Sequence, residues 1–312
     1  MIGLTGWAVL AALLMSPAPS GPVELAYLYD LSDFTGRIPY SDARVVADAP
    51  RSEVYTLYGN RIRVFNSSGM EIYQFEVDPA AGRILDLGIE SDGDILMLMF
   101  ASAAGEGTTR WSLVRADFRG RMTHELDIDH SGAAAGLLPN RLIIRSGKIW
   151  LVSQSQMRAA CYLPDGKLDR ILDLAELAGL TPEDRANAEV SGLDVGKDGT
   201  VVFAVPEQFQ VHAIDPGGGV RSFGRAGSAA GNFGVLGDVT LDDRGNLIVS
   251  DRLRGVVMVF DRDFHFLRET GSTGGGDRLV RPGGLALDPA GRLYVSQVRD
   301  RGIAVFSVSP AP

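Results

Sequence analysis

Three stretches decide how this chain is read: SGLDVGKDGTVVFAV at residues 191–205, GDVTLDDRGNLIVSD at 237–251 and GGLALDPAGRLYVSQ at 283–297. In each, apolar residues alternate on both sides of a short Asp/Gly turn, and the turn glycines Gly199, Gly245 and Gly291 stand 46 residues apart. Alternation with a period of two marks a half-buried strand, and two such runs around a tight polar turn make a hairpin rather than a helix. A fixed repeat of this length signals radial or stacked units.

Weaker copies lie upstream. LDLGIESDGDILMLM (85–99) centres on Gly93, NRLIIRSGKIWLVS (140–153) centres on Gly147, and ARVVADAPRSEVYTL (43–57) has lost the glycine, which brings the count to six. Each copy continues into a third apolar strand, a short turn and a fourth strand, as in RIRVFNSSGMEIYQF (61–75) and VVMVFDRDFHFLRE (256–269). Four antiparallel strands make one propeller blade, and arranging blades in a ring protects the sheet edges. The expected fold is therefore all-β, a six-bladed β-propeller of four-stranded antiparallel blades at approximately 38–77, 83–129, 138–174, 189–223, 235–270 and 281–308. The last copy ends after its third strand, RGIAVFSV (301–308), whereas VELAYLYDL (23–31) reads as a fourth strand with no blade of its own. The N-terminal strand is expected to complete the last blade and close a single domain, 23–312.

The segments RPGGLALDPAGRLYVSQ (281–297) and LGDVTLDDRGNLIVSD (236–251) resemble NHL repeats, whose units pair a P-x-G-I-A-V-D segment with a G-N-I-Y-V-A-D segment. The resemblance is specific over about 120 residues, with outline matches in the first three blades. It implies a TolB-like six-bladed propeller. Most such proteins are binding scaffolds, and a minority are lyases, lactonases or other hydrolases.

Charge and composition narrow the partners. The chain has 312 residues, a formal net charge of −9 and a pI near 5.0, so its overall field repels nucleic-acid phosphates and anionic membrane surfaces. No nucleic-acid partner is expected. Only Lys148, Lys167 and Lys197 are lysines, so 27 of the 30 basic residues are arginines, which make forked contacts with carboxylates that lysine cannot. The uncharged apolar run from Ile2 to Met15, followed by SPAPSGP, reads as a secretory signal peptide over 1–22 and is too short to span a bilayer. The mature protein is expected to be secreted or periplasmic in a bacterial envelope, monomeric and without a transmembrane segment. Its one cysteine, Cys161, rules out an internal disulfide.

Turn lengths divide the two faces of the disc. Links such as DDRGN, DPAGR and NSSGM are tight, whereas 101–110, 129–140, 175–188, 224–237 and 271–284 are longer and belong to the opposite face. Binding residues concentrate on loops held by a rigid scaffold, so function is assigned to the long-loop face. The link containing Thr181, Pro182 and Glu183 carries helix N-cap chemistry and predicts one short helix. Arg252, Arg254, Arg278, Arg281, Arg299 and Arg301 gather on this face and form the first candidate ligand-binding set, suited to an acidic protein or peptide. The plainer reading pairs them with Asp251, Asp277 and Asp300. Asn140 and Asp238, with Ser191, stand where inner strands begin and form a second candidate set at the channel mouth.

No catalytic constellation is expected. His124, His130, His212 and His265 lack metal-ligand spacing, with His130 alone on the working face. There is no G-x-S-x-G elbow, and GSTGGGD (271–277) is not followed by the Lys-Ser/Thr of a phosphate loop. Cys161, Trp111 and Trp150 read as core residues. No cofactor is expected for a scaffold; the alternative, a metal-dependent hydrolase or lyase at the channel mouth, requires a divalent cation held from several blades. Asn140 and Asp238 have no glutamate partner in the first blade, where Glu53 lies on the second strand.

Overall fold

The computed structural model of the protein describes residues 23–102 and 109–310. The expected leader, 1–22, and residues 103–108 of the link 101–110 lie outside the described residues.

Six four-stranded antiparallel sheets follow one another along the chain. Their innermost strands are Arg44–Asp48, Arg83–Ile89, Arg141–Arg145, Gly192–Val195, Leu236–Leu241 and Leu285–Leu287. Each of these packs against the inner strands of both neighbouring blades, the sixth against the first, so they form a closed ring around a central channel. Second and third strands such as Val201–Val205 and Val256–Phe260 are buried along their whole length, because blades cover both of their faces. That is why they read as unbroken apolar runs rather than as alternating ones. Outer strands such as Met122–Leu126 are mostly exposed.

The apolar core lies between the blades. Between the third and fourth, Trp150, Met157, Cys161, Val190 and Phe203 belong to one buried cluster. Burial pushes the Cys161 thiol up to about 11, so it stays protonated and behaves as a small apolar side chain. Trp111 is buried in the cluster between the second and third blades, where its indole N–H donates to the Leu137 carbonyl at 2.7 Å.

The ring closes as the sequence predicts. Val23–Asp30 pairs antiparallel with Ile303–Pro310, in the register Val23 to Pro310, Leu25 to Val308 and Tyr27 to Phe306. Val23 and Leu25, 5% and 6% exposed, enter the cluster formed by Ile248, Val257, Leu285 and Phe306. In the first blade Ser52 replaces the missing turn glycine: it adopts a φ of +54° and donates to the Ala49 carbonyl, as Gly245 donates to Asp242.

The expected short helix spans Pro182–Arg185, with the Thr181 hydroxyl accepting from the Asp184 amide. A second turn, Leu174–Leu177, was not anticipated. Asp173 caps it through the Glu176 amide, a signal hidden at the end of a strand. The link from the sixth blade to the first also folds into a small hairpin, Ser32–Asp33 with Gly36–Arg37.

Deleting residues 23–31 removes the outer strand of the sixth blade and the burial of Val23 and Leu25. At about 1.5–3 kcal/mol for each side chain the loss is about 3–6 kcal/mol, a fall in Tm of roughly 10 °C. Differential scanning calorimetry of the truncated protein checks this, and an unchanged Tm would contradict closure by the N-terminal strand.

Candidate functional site

Three aspartates organise the channel. The Asp86 carboxylate accepts from the amide of Leu87 on its own strand (2.9 Å) and from Leu142 on the next blade (2.8 Å). Asp238 does the same with Val239 (2.9 Å) and Leu285 (3.0 Å). Asp194 accepts from Val195 (2.8 Å), from the Leu241 amide (3.1 Å) and from the Thr240 hydroxyl (2.7 Å). Each buried carboxylate thus ties neighbouring inner strands together. Asp86 and Asp238 each precede their turn glycine, Gly93 and Gly245, by seven residues; Asn140 and Gly284 hold that place before Gly147 and Gly291. Mid-channel, a void of about 120 Å³ is lined by Arg145, Asp194 and Asp238 beside Val46, Leu193 and Ala286.

On the long-loop face the channel opens into a cup of about 370 Å³. Arg44, Arg83 and Arg141 line it from the first residues of the first three inner strands, and Arg252 enters from the fifth blade. Asn140, Gln154 and Asp42 complete the polar wall, with Gly284 opposite. The Arg44 Nε donates to Asp86 at 2.9 Å. Arg83, Arg141 and Arg252 form no ion pair and no side-chain hydrogen bond among the described residues, and the Arg252 Nε is buried without a partner. Burial and the neighbouring Arg44 push the Arg141 guanidinium below its ordinary range, against the pull of Asp238 and Asp86. Burial raises the Asp238 carboxyl, and Arg141 and Arg44 draw it back.

Of the residues predicted from sequence, Asn140, Asp238 and Arg252 meet around this mouth. Asn140 lies at the cup wall, where its amide donates to Gln154 at 2.8 Å, and Asp238 lies deeper, with both oxygens engaged by backbone. The other arginines are spread along the long-loop face. Arg254 Nη2 donates to both Glu269 oxygens, at 2.9 and 2.7 Å, and Arg301 pairs with Asp277 at 2.7 Å. Arg278, Arg281 and Arg299 are exposed and form no ion pair among the described residues. Asp251 instead holds the backbone amides of Gly234, Val235, Leu253 and Arg254. Asp42, Arg281, Arg299 and Asp300 all have φ between +46° and +60°. Such conformations are costly for residues with a Cβ and gather at functional sites.

Sequence reasoning missed Arg44, Arg83 and Arg141. The signal was present, since an arginine opens the apolar inner strand in ARVV (43–46), GRIL (82–85) and NRLI (140–143). It was masked because the three stand at different distances from their turns, and a bulge between Ile84 and Asp86 shifts the second.

Among the described residues no group of three His, Cys, Asp or Glu side chains comes together as a metal-holding set. His130 packs edge-on against Trp111 at 4.5 Å, and His265 pairs with Asp261 at 3.0 Å. The arrangement defines a β-propeller with a guanidinium-rich mouth on its long-loop face, chemically suited to oxygen anions.

No family model and no curated protein matches the chain. Solved structures do. A streptogramin B lyase is 14% identical, with a TM-score of 0.58 over 92% of this chain and 98% of that one. A Bacteroides thetaiotaomicron protein of unknown function is 11% identical, with a TM-score of 0.64 over 92% of this chain and 76% of that one. The WD40 β-propeller domain of Doa1 is 12% identical, with a TM-score of 0.53 over 86% and 78%. At these identities the likeness is one of fold.

One buried histidine makes the fold sensitive to acid. His212 is 1% exposed, stacks on Phe203 at 4.8 Å and contacts Ser222 Oγ and Gln208 Oε1. Burial pushes its imidazole down to about 4 from 6.5. The folded state therefore resists the proton that the unfolded chain accepts, and stability present above pH 6.5 is lost as pH falls towards 4. By pH 4.5 the loss from this group is on the order of 2–3 kcal/mol. Urea unfolding at pH 7.5 and 4.5 checks this: His212→Gln should lose less stability between the two than the parent, and equal losses would contradict it.

Proposed function

We propose that the protein is an exported, monomeric, non-enzymatic binding scaffold of the NHL-repeat, TolB-like kind, which takes an acidic protein or peptide on its long-loop face. One observation carries the reading: on a chain of net charge −9, Arg278, Arg281 and Arg299 stand exposed on that face with no carboxylate partner among the described residues. A local basic patch on an acidic body steers and orients an acidic partner while the rest of the surface repels it. The left-handed backbone at Arg281 and Arg299 supports it too, because these side chains are presented at a cost in local strain. Export is supported by the apolar run before SPAPSGP. Among the described residues no helix is long and apolar enough to cross a membrane.

A hydrolase or lyase reading has the fold of the streptogramin B lyase behind it. It would need a cation held at a mouth whose walls carry guanidinium groups, and like charge works against that.

The test is cross-linking in the native cell envelope, comparing the parent with an Arg278→Glu, Arg299→Glu double variant. Recovery of the partner should fall at least about tenfold in the variant, the scale of losing two charge-assisted contacts. Equal recovery, or a parent that captures nothing, would contradict the proposal.

A further inference from the structure

The cup at the channel mouth has a chemistry separate from the loop arginines. Its four guanidinium groups come from four blades, so they are held by inner strands and a tight link rather than by long loops. Rigid placement of this kind is what a specific small site needs. Asp86 and Asp238 are the nearest compensating charges inside the mouth, but two or more donors already hold each of them: Leu87, Leu142 and Arg44 for Asp86, Val239 and Leu285 for Asp238. Each oxygen of Asp238 thus accepts from a backbone amide, and those of Asp86 from backbone and Arg44. The remaining guanidinium N–H groups of Arg83, Arg141 and Arg252 point to no protein acceptor among the described residues, and the partnerless Arg252 Nε is shielded from solvent. Buried polar groups in native proteins are satisfied, by protein, by water or by ligand.

The sixth blade lines the cup through Gly284 alone. In blades two and five the residue seven before the turn glycine is a bridging aspartate, whereas in blade six it is Gly284. A Cβ there would make ordinary van der Waals contacts, the nearest with the Ala43 carbonyl at 3.8 Å, the Ser296 Cβ at 3.8 Å and an Asp238 oxygen at 3.9 Å, so a small side chain would fit and its lack leaves the wall lower at this point. Asn140 and Gln154 add neutral amides to the wall, and Asp42, exposed at the edge, adds one opposing charge. A volume of about 370 Å³ suits a small ligand or the end group of a larger one.

We infer that the channel mouth is a binding site for one compact oxyanion group, a carboxylate or a phosphate, gripped by Arg83, Arg141 and Arg252 with Arg44 beneath. This deepens the scaffold reading and rests on its choice of the long-loop face, because the group would be the anchoring tip of whatever that face receives. Planar guanidinium forks match both carboxylate and phosphate oxygens, so the shared chemistry is fixed while its source is open to test.

The experiment is isothermal titration calorimetry of the whole mature protein with sodium phosphate and, separately, sodium succinate, at constant ionic strength set with sodium chloride. The parent is expected to bind at least one of them saturably at one site per chain. Phosphate alone identifies a phosphorylated ligand, succinate alone a carboxylate ligand, and both support the common site. Arg141→Gln should weaken binding at least about tenfold, the loss of one charge-assisted hydrogen bond or more. Arg83→Gln, on the exposed wall, guards against misfolding of the first variant and should also weaken binding. Arg262→Gln, in the short link after Val256–Phe260 on the opposite face, should leave it unchanged. No saturable heat with either anion, or parent-like binding in both glutamine variants, would overturn the inference. Failure here with partner capture intact would leave the scaffold reading standing, and anion binding with no partner captured would do the reverse.

Discussion

The centre of this propeller depends on carboxylates that bind backbone across blade boundaries. An inner strand has a sheet partner on one side only, and the polar groups along its other edge must find acceptors away from bulk water. Asp86, Asp194 and Asp238 answer that need by holding an amide of their own strand and one of the next blade at the same time. Apolar packing between blades supplies area without direction. The bridging carboxylates supply direction, because a shift of one inner strand past another would break the cross-blade hydrogen bond to a buried charge.

That arrangement explains the electrostatics of the mouth. Amides hold both oxygens of Asp238, and amides with Arg44 hold those of Asp86, so Arg83 and Arg141 keep donor capacity. Arg44 reaches Asp86, while Arg141, pressed between burial and Arg44, does not gain an equivalent partner. The same aspartates therefore tie the ring together and leave the cup cationic within an acidic protein. The carboxylates that brace the ring and the guanidinium groups that charge the cup thus meet on the inner strands.

The ring was legible in the sequence because a propeller repeats one local rule: apolar alternation, an Asp/Gly turn, apolar alternation. The completion of the last blade by Val23–Asp30 followed from counting strands at the two ends of the chain. What escaped was whatever depends on the ring being closed. Arg44, Arg83 and Arg141 lie far apart in sequence and meet only when blades one to three stand side by side, at different distances from their turns, the second shifted by a bulge. Asp238 was legible as a mouth residue, but its bond to Leu285 belongs to the neighbouring blade and no local pattern records it. The loop arginines divided for a similar reason. Glu269, which holds Arg254, comes from the outer strand of the same blade, and Asp277, which holds Arg301, comes from the preceding link.

Amide hydrogen exchange in an Asp238→Ala variant tests the account at its centre. The Leu285 and Val239 amides should lose protection while Leu142, held by Asp86, keeps its own. A Leu285 amide that exchanges as slowly in the variant as in the parent would contradict the bridging role on which the cationic mouth also rests.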